Sequence, residues 1–173
     1  DVRHPCIDRH MHCSSRWRSH LVRAVSQPRP EVHSPAALAS HCDVFDEKKI
    51  LLRGEATHGT AEFYNARAAI TRRLVERHGF RILAIEGDWP DAWRVNRFVQ
   101  LEDSDTAESA LGDFGRFPTW MWRNREMLDF IIWLRAHNAE KPAAHRVGIS
   151  GLDLSSLSRS PDAFAPSLEG ADR

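Results

Sequence analysis

The sequence lacks most of the features that would place it quickly in a class of protein. Its 173 residues include three cysteines, Cys6, Cys13 and Cys42, an odd number without C-x-x-C spacing, so no disulfide framework is expected. No run of residues approaches the ~18 to 20 apolar residues that span a membrane. Residues 1–20 also lack the apolar segment of a signal peptide. We therefore expect a cytoplasmic protein without a membrane partner.

An excess of charge of one sign is also missing. The chain carries 24 Lys and Arg residues against 24 Asp and Glu residues, so it has no overall field that would attract nucleic acid. We expect no nucleic-acid partner. What the chain does have is a hydrophobic content of 42% with six Trp and eight Phe, which is enough to build the core of one ordinary domain.

Residue types that bind zinc are gathered near the N-terminus in the run "CIDRHMHC". This run contains Cys6, His10, His12 and Cys13. Structural zinc sites usually pair their ligands as C-x₂₋₄-C and H-x₃₋₅-H, and this run has neither spacing. We predict no metal site, and the alternative interpretation of the run is a basic leader without fixed structure.

Composition divides the chain into three parts. Residues 1–46 show neither helical nor strand periodicity, which indicates a poorly ordered arm that adds little to the core. Residues 47–158 carry regular apolar spacing and form the predicted α/β domain. Residues 159–173 could start a helix, but Pro166 would interrupt it within two turns, so they are interpreted as a truncated tail.

The central part predicts three strands that alternate with helices. The strands are "KKILL", "FRILAIE" and "RVGIS". The helices are one that ends at Gly79, one that begins near Pro90, and a Trp-rich one from about Met121 to Asn138. Strands separated by helices imply right-handed crossovers, so we predict an α/β fold with a mostly parallel sheet covered by helices on both faces and incomplete at the C-terminus.

Polar residues follow each predicted strand at its carboxyl end, where ligands bind in open parallel sheets. Glu55 and His58 follow the first strand, Glu86 and Asp88 end the second, and Asp153 follows the third. A carboxylate that ends an apolar run such as "ILAIE" is costly unless it is paired. We therefore predict a polar site at this edge. Adjacent strands lie about 5 Å apart, so His58 and Glu86 are expected within direct or water-bridged reach.

Each of these residues also has a structural interpretation. His58 in a tight turn can simply hydrogen-bond a carbonyl group, Glu55 can cap the following helix, and Arg67 can be a solvated charge on that helix. Trp89 and the other tryptophans are typical of core packing. The sequence around Ser150, "GISGL", does not match G-x-S-x-G, and no phosphate-binding G-x-x-x-x-G-K-[ST] is present.

Four stretches of the chain, taken in order, resemble the N-terminal half of the erythromycin esterase family over residues 49 to about 158. They are "GEATHGTAEFYNARAAITRRLVERHGF", "AIEGDWPDAWRVNRFV", "FPTWMWRNREMLDFIIWLRAHN" and "VGISGLDL". The resemblance implies a hydrolase without a serine nucleophile, in which a histidine activates water to open a macrolide lactone. It implies neither a metal nor another cofactor, and it makes a small-molecule ester or macrolactone the expected partner.

The resemblance assigns roles to four residues by position. The histidine of "GEATHG" is His58, the glutamate before it is Glu55, the arginine of the following helix is Arg67, and the glutamate at the strand end is Glu86. A neutral imidazole can take a proton from water, a carboxylate can stabilise the imidazolium, and an arginine can hold a developing oxyanion.

Substrate binding is assigned to the remaining polar and aromatic residues of the same edge. These are Asp88, Trp89 and Asp153.

Two departures from the family pattern give an alternative function. Family members are considerably longer, and their second half supplies further active-site groups and helps to enclose the substrate. Arg53 stands where the family usually has an apolar residue before Gly54. The alternative is a non-catalytic fragment or binding remnant, and we expect the 173-residue chain alone to hydrolyse macrolides very weakly or not at all.

Overall fold

The computed structural model describes residues 34–45, 47–54, 57–116 and 118–153. The first 33 residues of the predicted arm, with the candidate zinc ligands Cys6, His10, His12 and Cys13, lie outside the described residues. The predicted tail, residues 159–173, lies outside them as well.

Helices and strands alternate along the described chain. The helices are α1 (Pro35–Ser40), α2 (Ala61–His78), α3 (Trp89–Val99), α4 (Ala107–Ala110) and α5 (Arg125–Ala139). The strands are β1 (Ile82–Asp88) and β2 (Gly148–Asp153), and short 3-10 turns occupy His41–Phe45, Thr119–Met121 and Ala143–His145. The predicted α/β fold class is confirmed.

The three helices expected in the central part are formed. Helix α2 ends at Gly79, which has a φ of 69°, and α3 has Pro90 in its first turn, both as predicted. The helix expected from about Met121, α5, begins four residues later, so it contains Trp133 while Trp120 and Trp122 lie before it. The reason is Asn124, whose side chain accepts a hydrogen bond of 2.8 Å from the Met127 amide and so caps the helix after Met121.

The two strands form a parallel sheet. Ile82 pairs with Gly148, Ile85 pairs with Gly151, and the register becomes irregular between Ile85 and Asp88. Alternate residues of β1, Ile82, Ala84 and Glu86, are exposed. One face of the sheet is therefore open within the described residues, whereas the sequence predicted helices on both faces.

The first predicted strand, "KKILL", is wrong. Residues 48–52 belong to no strand in the described structure, and Ile50 and Leu52 are 78% and 89% exposed. A short apolar run forms a buried strand only when a neighbouring strand and a covering layer meet it. In the described structure this run pairs with no strand, so Ile50 and Leu52 are exposed while Leu51 is half-buried.

The core lies between one face of the sheet and helices α3 and α5. Val95 and Val99 of α3 and Ile131 and Leu134 of α5 are completely buried. Two asparagines connect the helices to the amide groups at the start of β2. Asn96 Oδ1 accepts from the Ile149 amide at 2.9 Å, and the fully buried Asn138 both accepts from and donates to the backbone of Val147.

Part of the predicted arm packs against α2. Ser34 caps α1 by accepting a hydrogen bond of 3.1 Å from the Ala37 amide, and the 3-10 turn that follows places Asp43 beside Arg73 and His78. The Arg73 guanidinium and then the His78 ring hold the pKa of Asp43 well below its usual range. The domain boundary at residues 46 and 47 stays a prediction.

None of the helices in the described ranges is long and apolar enough to cross a membrane.

Candidate active site

His58 lies in an exposed turn that leads into α2. The Thr57 hydroxyl donates to the His58 carbonyl at 3.0 Å, and Gly59 has a φ of 80°. A Cβ atom at position 59 would lie 2.9 Å from Cζ3 of Trp120. Both the left-handed backbone and the close indole require glycine here, so the packing of Trp120 on Gly59 fixes the backbone next to His58.

The segment from Trp120 to Trp122, which we call the WMW turn, contacts three parts of the candidate site. Its first member packs on Gly59. The carbonyl of its second member, Met121, accepts a hydrogen bond of 2.7 Å from the hydroxyl of the buried Tyr64. Its third donates from Trp122 Nε1 to the Glu86 carbonyl at 2.9 Å. The WMW turn therefore joins the histidine turn, the start of α2 and the end of β1.

Arg67 lies on α2, roughly 9 Å along the helix axis from its first residue. Its guanidinium lies over the Tyr64 ring, with 4.4 Å between Cζ and the ring centroid, a geometry in which a cation is attracted to the face of the ring. The hydroxyl of Tyr64 is hydrogen-bonded to the Met121 carbonyl of the WMW turn, which fixes the position of the ring. Tyr64 thus fixes the half-buried Arg67 side chain relative to the segment that packs beside His58.

Glu86 lies in β1, two residues before the strand ends, and its side chain is exposed. Its carbonyl is bound by Trp122, and the following Gly87 packs under Phe114 and the same indole. Beyond it the two strands approach closely, because a Cβ atom at Gly151 would lie 2.5 Å from the Gly87 carbonyl oxygen. The glycines allow β1 and β2 to converge at their carboxyl ends, where the polar site was predicted.

A groove with a volume of about 660 Å³ runs along the open side of β1. Arg67 and Glu86 both line it, and so do residues 49–54 of the segment before the histidine turn. His58 is not among the described residues that line the groove. The structure therefore brings together two of the four residues to which the family resemblance assigns catalytic roles. The proximity of His58 to Glu86 stays a prediction, and its expected basis, adjacent first and second strands, is absent from the described residues.

The residues assigned to substrate binding lie at the ends of the strands. Asp88 and Asp153 are partners in the register of β1 and β2. Asp88 is buried, and Arg116 Nη1 lies 3.4 Å from its Oδ2 atom. Trp89 begins α3 and stacks on Trp93 with 6.3 Å between ring centroids. Asp88, Asp153 and Trp89 therefore lie at one edge, although none of them is among the groove-lining residues.

Glu55 lies outside the described residues. Within the ranges that the structure does describe, no three His, Cys, Asp or Glu side chains are grouped in a way that could hold a metal ion.

Two residues near the site were not selected from the sequence as functional. Arg53 lines the groove, and its Nη1 atom donates to the Arg67 carbonyl at 2.8 Å. Trp122 was interpreted as packing, yet it binds the backbone of Glu86. The only sequence signal for Arg53 was its departure from the family pattern, and local spacing gave no signal for the Trp122 contact, because it joins residues 36 positions apart.

The fold and this edge define an α/β domain whose polar residues gather at the carboxyl ends of parallel strands. The family model for erythromycin esterase matches residues 75–173. The chain therefore belongs to the erythromycin esterase family. The matched range includes Glu86, Asp88 and Asp153, and it begins after His58 and Arg67.

Two similar proteins are longer than this chain. One is the erythromycin esterase type II of Escherichia coli, which is 23% identical over 126 residues. The aligned region covers 73% of this chain and 27% of that protein. The other is a Bacillus cereus protein of known crystal structure, which is 25% identical with a TM-score of 0.47 and is matched over 67% of this chain and 29% of that chain. The chain thus spans less than a third of either relative.

Proposed function

We propose that the protein is a carboxylic ester hydrolase in which His58 activates a water molecule for attack on the ester carbonyl carbon. The imidazole takes a proton from water as the oxygen attacks, and the proton later passes to the leaving alcohol. The products are a carboxylic acid and an alcohol. Base catalysis of this kind contributes roughly 10²- to 10⁴-fold to the rate.

Three further residues have roles in this proposal. Glu86 and Glu55 are the carboxylates that orient the imidazole and stabilise its protonated form. Arg67 stabilises the negative charge that develops on the carbonyl oxygen in the transition state. Of the four residues, only Glu86 lies within the range that the family model matches. The roles of His58, Glu55 and Arg67 rest on the resemblance of residues 54–67 to the family's sequence pattern.

The observation that carries the proposal is the set of contacts made by the WMW turn. One short segment packs against the glycine beside His58, holds the tyrosine under Arg67 and binds the carbonyl of Glu86. Catalysis requires such groups to be held in fixed relative positions, since a displacement of about 1 Å can cost roughly 10²-fold in rate. A shared support of this kind favours one site over three unrelated polar residues.

The proposed substrate is a macrolactone or a smaller ester. The name of the Escherichia coli relative points to erythromycin, and Trp89, Asp88 and Asp153 at the strand ends offer an aromatic surface and carboxylates to a large polar substrate. The cytoplasmic location expected from the sequence stays a prediction.

A second candidate function is binding without hydrolysis. It is favoured by the exposed position of His58 outside the groove that Arg67 and Glu86 line. A base that faces bulk water loses the solvent exclusion that makes such catalysis efficient.

Hydrolysis of a small activated ester tests the proposal, because such a substrate needs less enclosure than a macrolactone. We expect the purified chain to cleave p-nitrophenyl acetate faster than buffer does. His58→Ala should remove most of that excess, whereas His145→Ala, an exposed histidine in the last 3-10 turn, should leave it unchanged. Mass spectrometry of erythromycin incubated with the same proteins should show the water-added product only slowly or not at all.

Equal rates for the wild-type chain and His58→Ala would contradict the catalytic role. If the chain binds erythromycin in a calorimetric titration and neither ester is cleaved, the second candidate function is supported instead.

A further inference from the structure

Arg116 lies beside the carboxyl end of β1, on the segment between α4 and the WMW turn. Its Nη1 atom is 3.4 Å from Oδ2 of Asp88. The side chain of Asp88 is 5% exposed, whereas that of Arg116 is 58% exposed. One end of the guanidinium is therefore held by a buried carboxylate, and much of the side chain faces solvent.

The segment that carries Arg116 is attached to α3 through Arg94. The Nη1 atom of Arg94 donates to Asp113 at 2.7 Å. Its Nε atom donates to Asp105 at 2.9 Å, and its Nη2 atom donates to Ser109 at 2.7 Å. All three guanidinium nitrogens are thus used to hold the residues around α4, and the last of these contacts along the chain is three positions before Arg116.

Phe114 attaches the same segment to the end of β1. It is buried, and a Cβ atom at Gly87 would lie 3.2 Å from its Cε1 atom. Its ring centroid is 6.1 Å from that of Trp122. Because the chain is held two residues before Arg116 by packing and three residues before it by an ion pair, the Arg116 side chain starts from a fixed backbone.

The Arg116 guanidinium has donors that the protein does not use. A guanidinium carries five N–H groups in a planar fork, and the contact with Asp88 involves Nη1 alone. Among the described residues, Asp88 is the polar partner of this side chain. A hydrogen-bond acceptor on a ligand at this edge can therefore bind Arg116 without displacing a contact within the protein.

The charges at the strand ends indicate what kind of acceptor fits. Glu86, Asp88 and Asp153 bring three carboxylates to the same edge as this one guanidinium. An anionic ligand would meet more negative than positive charge there, and like charges repel. An uncharged oxygen, such as that of a hydroxyl or a ketone, accepts from arginine without this repulsion.

We propose that Arg116 binds an uncharged hydroxyl or ketone oxygen of the substrate, at a position away from the ester that is cleaved. The inference rests on the proposed function, because it takes the substrate to be a macrolactone. Arg116 is then a specificity-determining residue that favours macrolactones carrying such oxygens over unsubstituted ones. Arg94 acts through Arg116 and is a positioning residue.

Equilibrium dialysis of the full chain at pH 7 against two uncharged macrolactones of the same ring size tests the contact without any hydrolysis. Erythronolide B carries hydroxyl and ketone groups, whereas oxacyclotetradecan-2-one carries only the lactone oxygens. Arg116→Gln should weaken the binding of erythronolide B roughly three- to tenfold, and Arg116→Lys, which keeps the charge, should weaken it less. The affinity for oxacyclotetradecan-2-one should change little in either variant.

Arg94→Gln tests the positioning role. It should also weaken the binding of erythronolide B and leave that of oxacyclotetradecan-2-one nearly unchanged. The double variant with Arg116→Gln should bind erythronolide B no more weakly than Arg116→Gln alone, because both changes act through one guanidinium. An additive loss in the double variant would show that Arg94 does not act through Arg116.

Arg77→Gln is the matched control, because Arg77 is an exposed arginine in the last turn of α2. It should bind both lactones as the wild-type chain does. Binding of erythronolide B that Arg116→Gln leaves unchanged, an equal loss for both lactones, or no detectable binding of erythronolide B would each overturn the inference. His58→Ala should retain the binding of erythronolide B even where ester hydrolysis is lost, so failure of the proposed function and failure of this contact give different results.

Discussion

Two neighbouring regions of the molecule differ in how they are held. The sheet core, made of β1, β2, α3 and α5, has completely buried side chains and asparagines that bind strand amides. The connecting segment, which comprises the described residues 47–54 and 57–60, contains Ile50 and Leu52 with most of their surface exposed. The sheet core is held by its own buried side chains. The connecting segment is held by a few contacts with other parts of the chain, among them Trp120 and the backbone of α2.

The candidate site lies across the junction of these regions. Glu86, Asp88 and Asp153 belong to the sheet core, whereas Arg53 and His58 belong to the connecting segment. The WMW turn connects the two, because it contacts Gly59 and the Glu86 carbonyl. A hydrogen bond from Arg53 also joins the connecting segment to the backbone of α2. The sheet core thus supplies the carboxylates, and the position of the proposed base depends on the contact between Gly59 and Trp120.

The largest expected effect is the loss of a buried polar contact in the sheet core. Asn138 donates to the Val99 and Val147 carbonyls at 2.8 and 2.9 Å and accepts from the Val147 amide at 2.8 Å. Asn138→Ala removes the partner of the Val147 amide and a donor from each of the two carbonyls, of which that of Val147 keeps a contact with Gln100 Nε2 at 3.1 Å. It should lower the free energy of unfolding by about 3 kcal/mol. Urea denaturation measures the change. Asn65→Ala, on the exposed face of α2, should change it by less than ~0.5 kcal/mol.

The sheet core was also the region that the sequence predicted well. The run "FRILAIE" and the helix from Pro90 have local signals, namely continuous apolar residues and a proline suited to a first helical turn. The strand predicted at "KKILL" has the same kind of local signal, yet it is wrong. Whether such a run becomes a strand depends on a partner strand, and local sequence does not report that partner.

The site was predicted less completely than the fold. The carboxylates at the strand ends follow from topology, since parallel strands end at the same edge. The contacts of Trp120, Trp122 and Arg53 join residues far apart in the chain or depend on a side chain that spans from one segment to another. Tryptophan is common in cores, so its spacing alone does not distinguish packing from the support of a site.

A smaller effect is expected where the histidine turn meets the WMW turn. Gly59→Ala puts a Cβ atom into a left-handed backbone position and against the Trp120 ring. We expect a loss of about 1–2 kcal/mol in the free energy of unfolding, and displacement of His58 should lower the excess esterase rate as well.

Gly54→Ala is the control for that variant, because a Cβ atom at Gly54 meets no other atom within 4 Å. It should leave both the stability and the rate near the wild-type values. Equal losses in the two variants would show that the connecting segment tolerates no side chain at either glycine, and that the Trp120 contact is not what fixes the turn.

The contact between the 3-10 turn at His41–Phe45 and α2 should respond to pH. The pKa of Asp43 is lowered in the folded state by Arg73 and His78, so its contribution to stability is present above its unfolded value of about 3.9 and is lost as pH falls toward the folded value. Asp43→Asn should therefore unfold at a lower temperature than the wild-type chain at pH 7. Thermal scans should show the unfolding temperatures of the two proteins converging as the pH is lowered from 5 to 3.

A difference in unfolding temperature that stays constant over that pH range would mean that the loss in Asp43→Asn comes from packing and not from the carboxylate charge. The effect should be small, because the Asp43 side chain is partly exposed to solvent.

The smallest expected effect tests the connecting segment itself. Leu52 is 89% exposed, so Leu52→Ser removes little apolar burial and should change the free energy of unfolding by less than ~0.5 kcal/mol. Leu134→Ala, in the completely buried part of α5, should cost at least ~2 kcal/mol by the same denaturation measurement. A loss above ~1 kcal/mol for Leu52→Ser would mean that this leucine is buried in solution. The run "KKILL" would then pack against β1 as the sequence predicted, and His58 would follow a strand of the sheet core instead of an exposed segment.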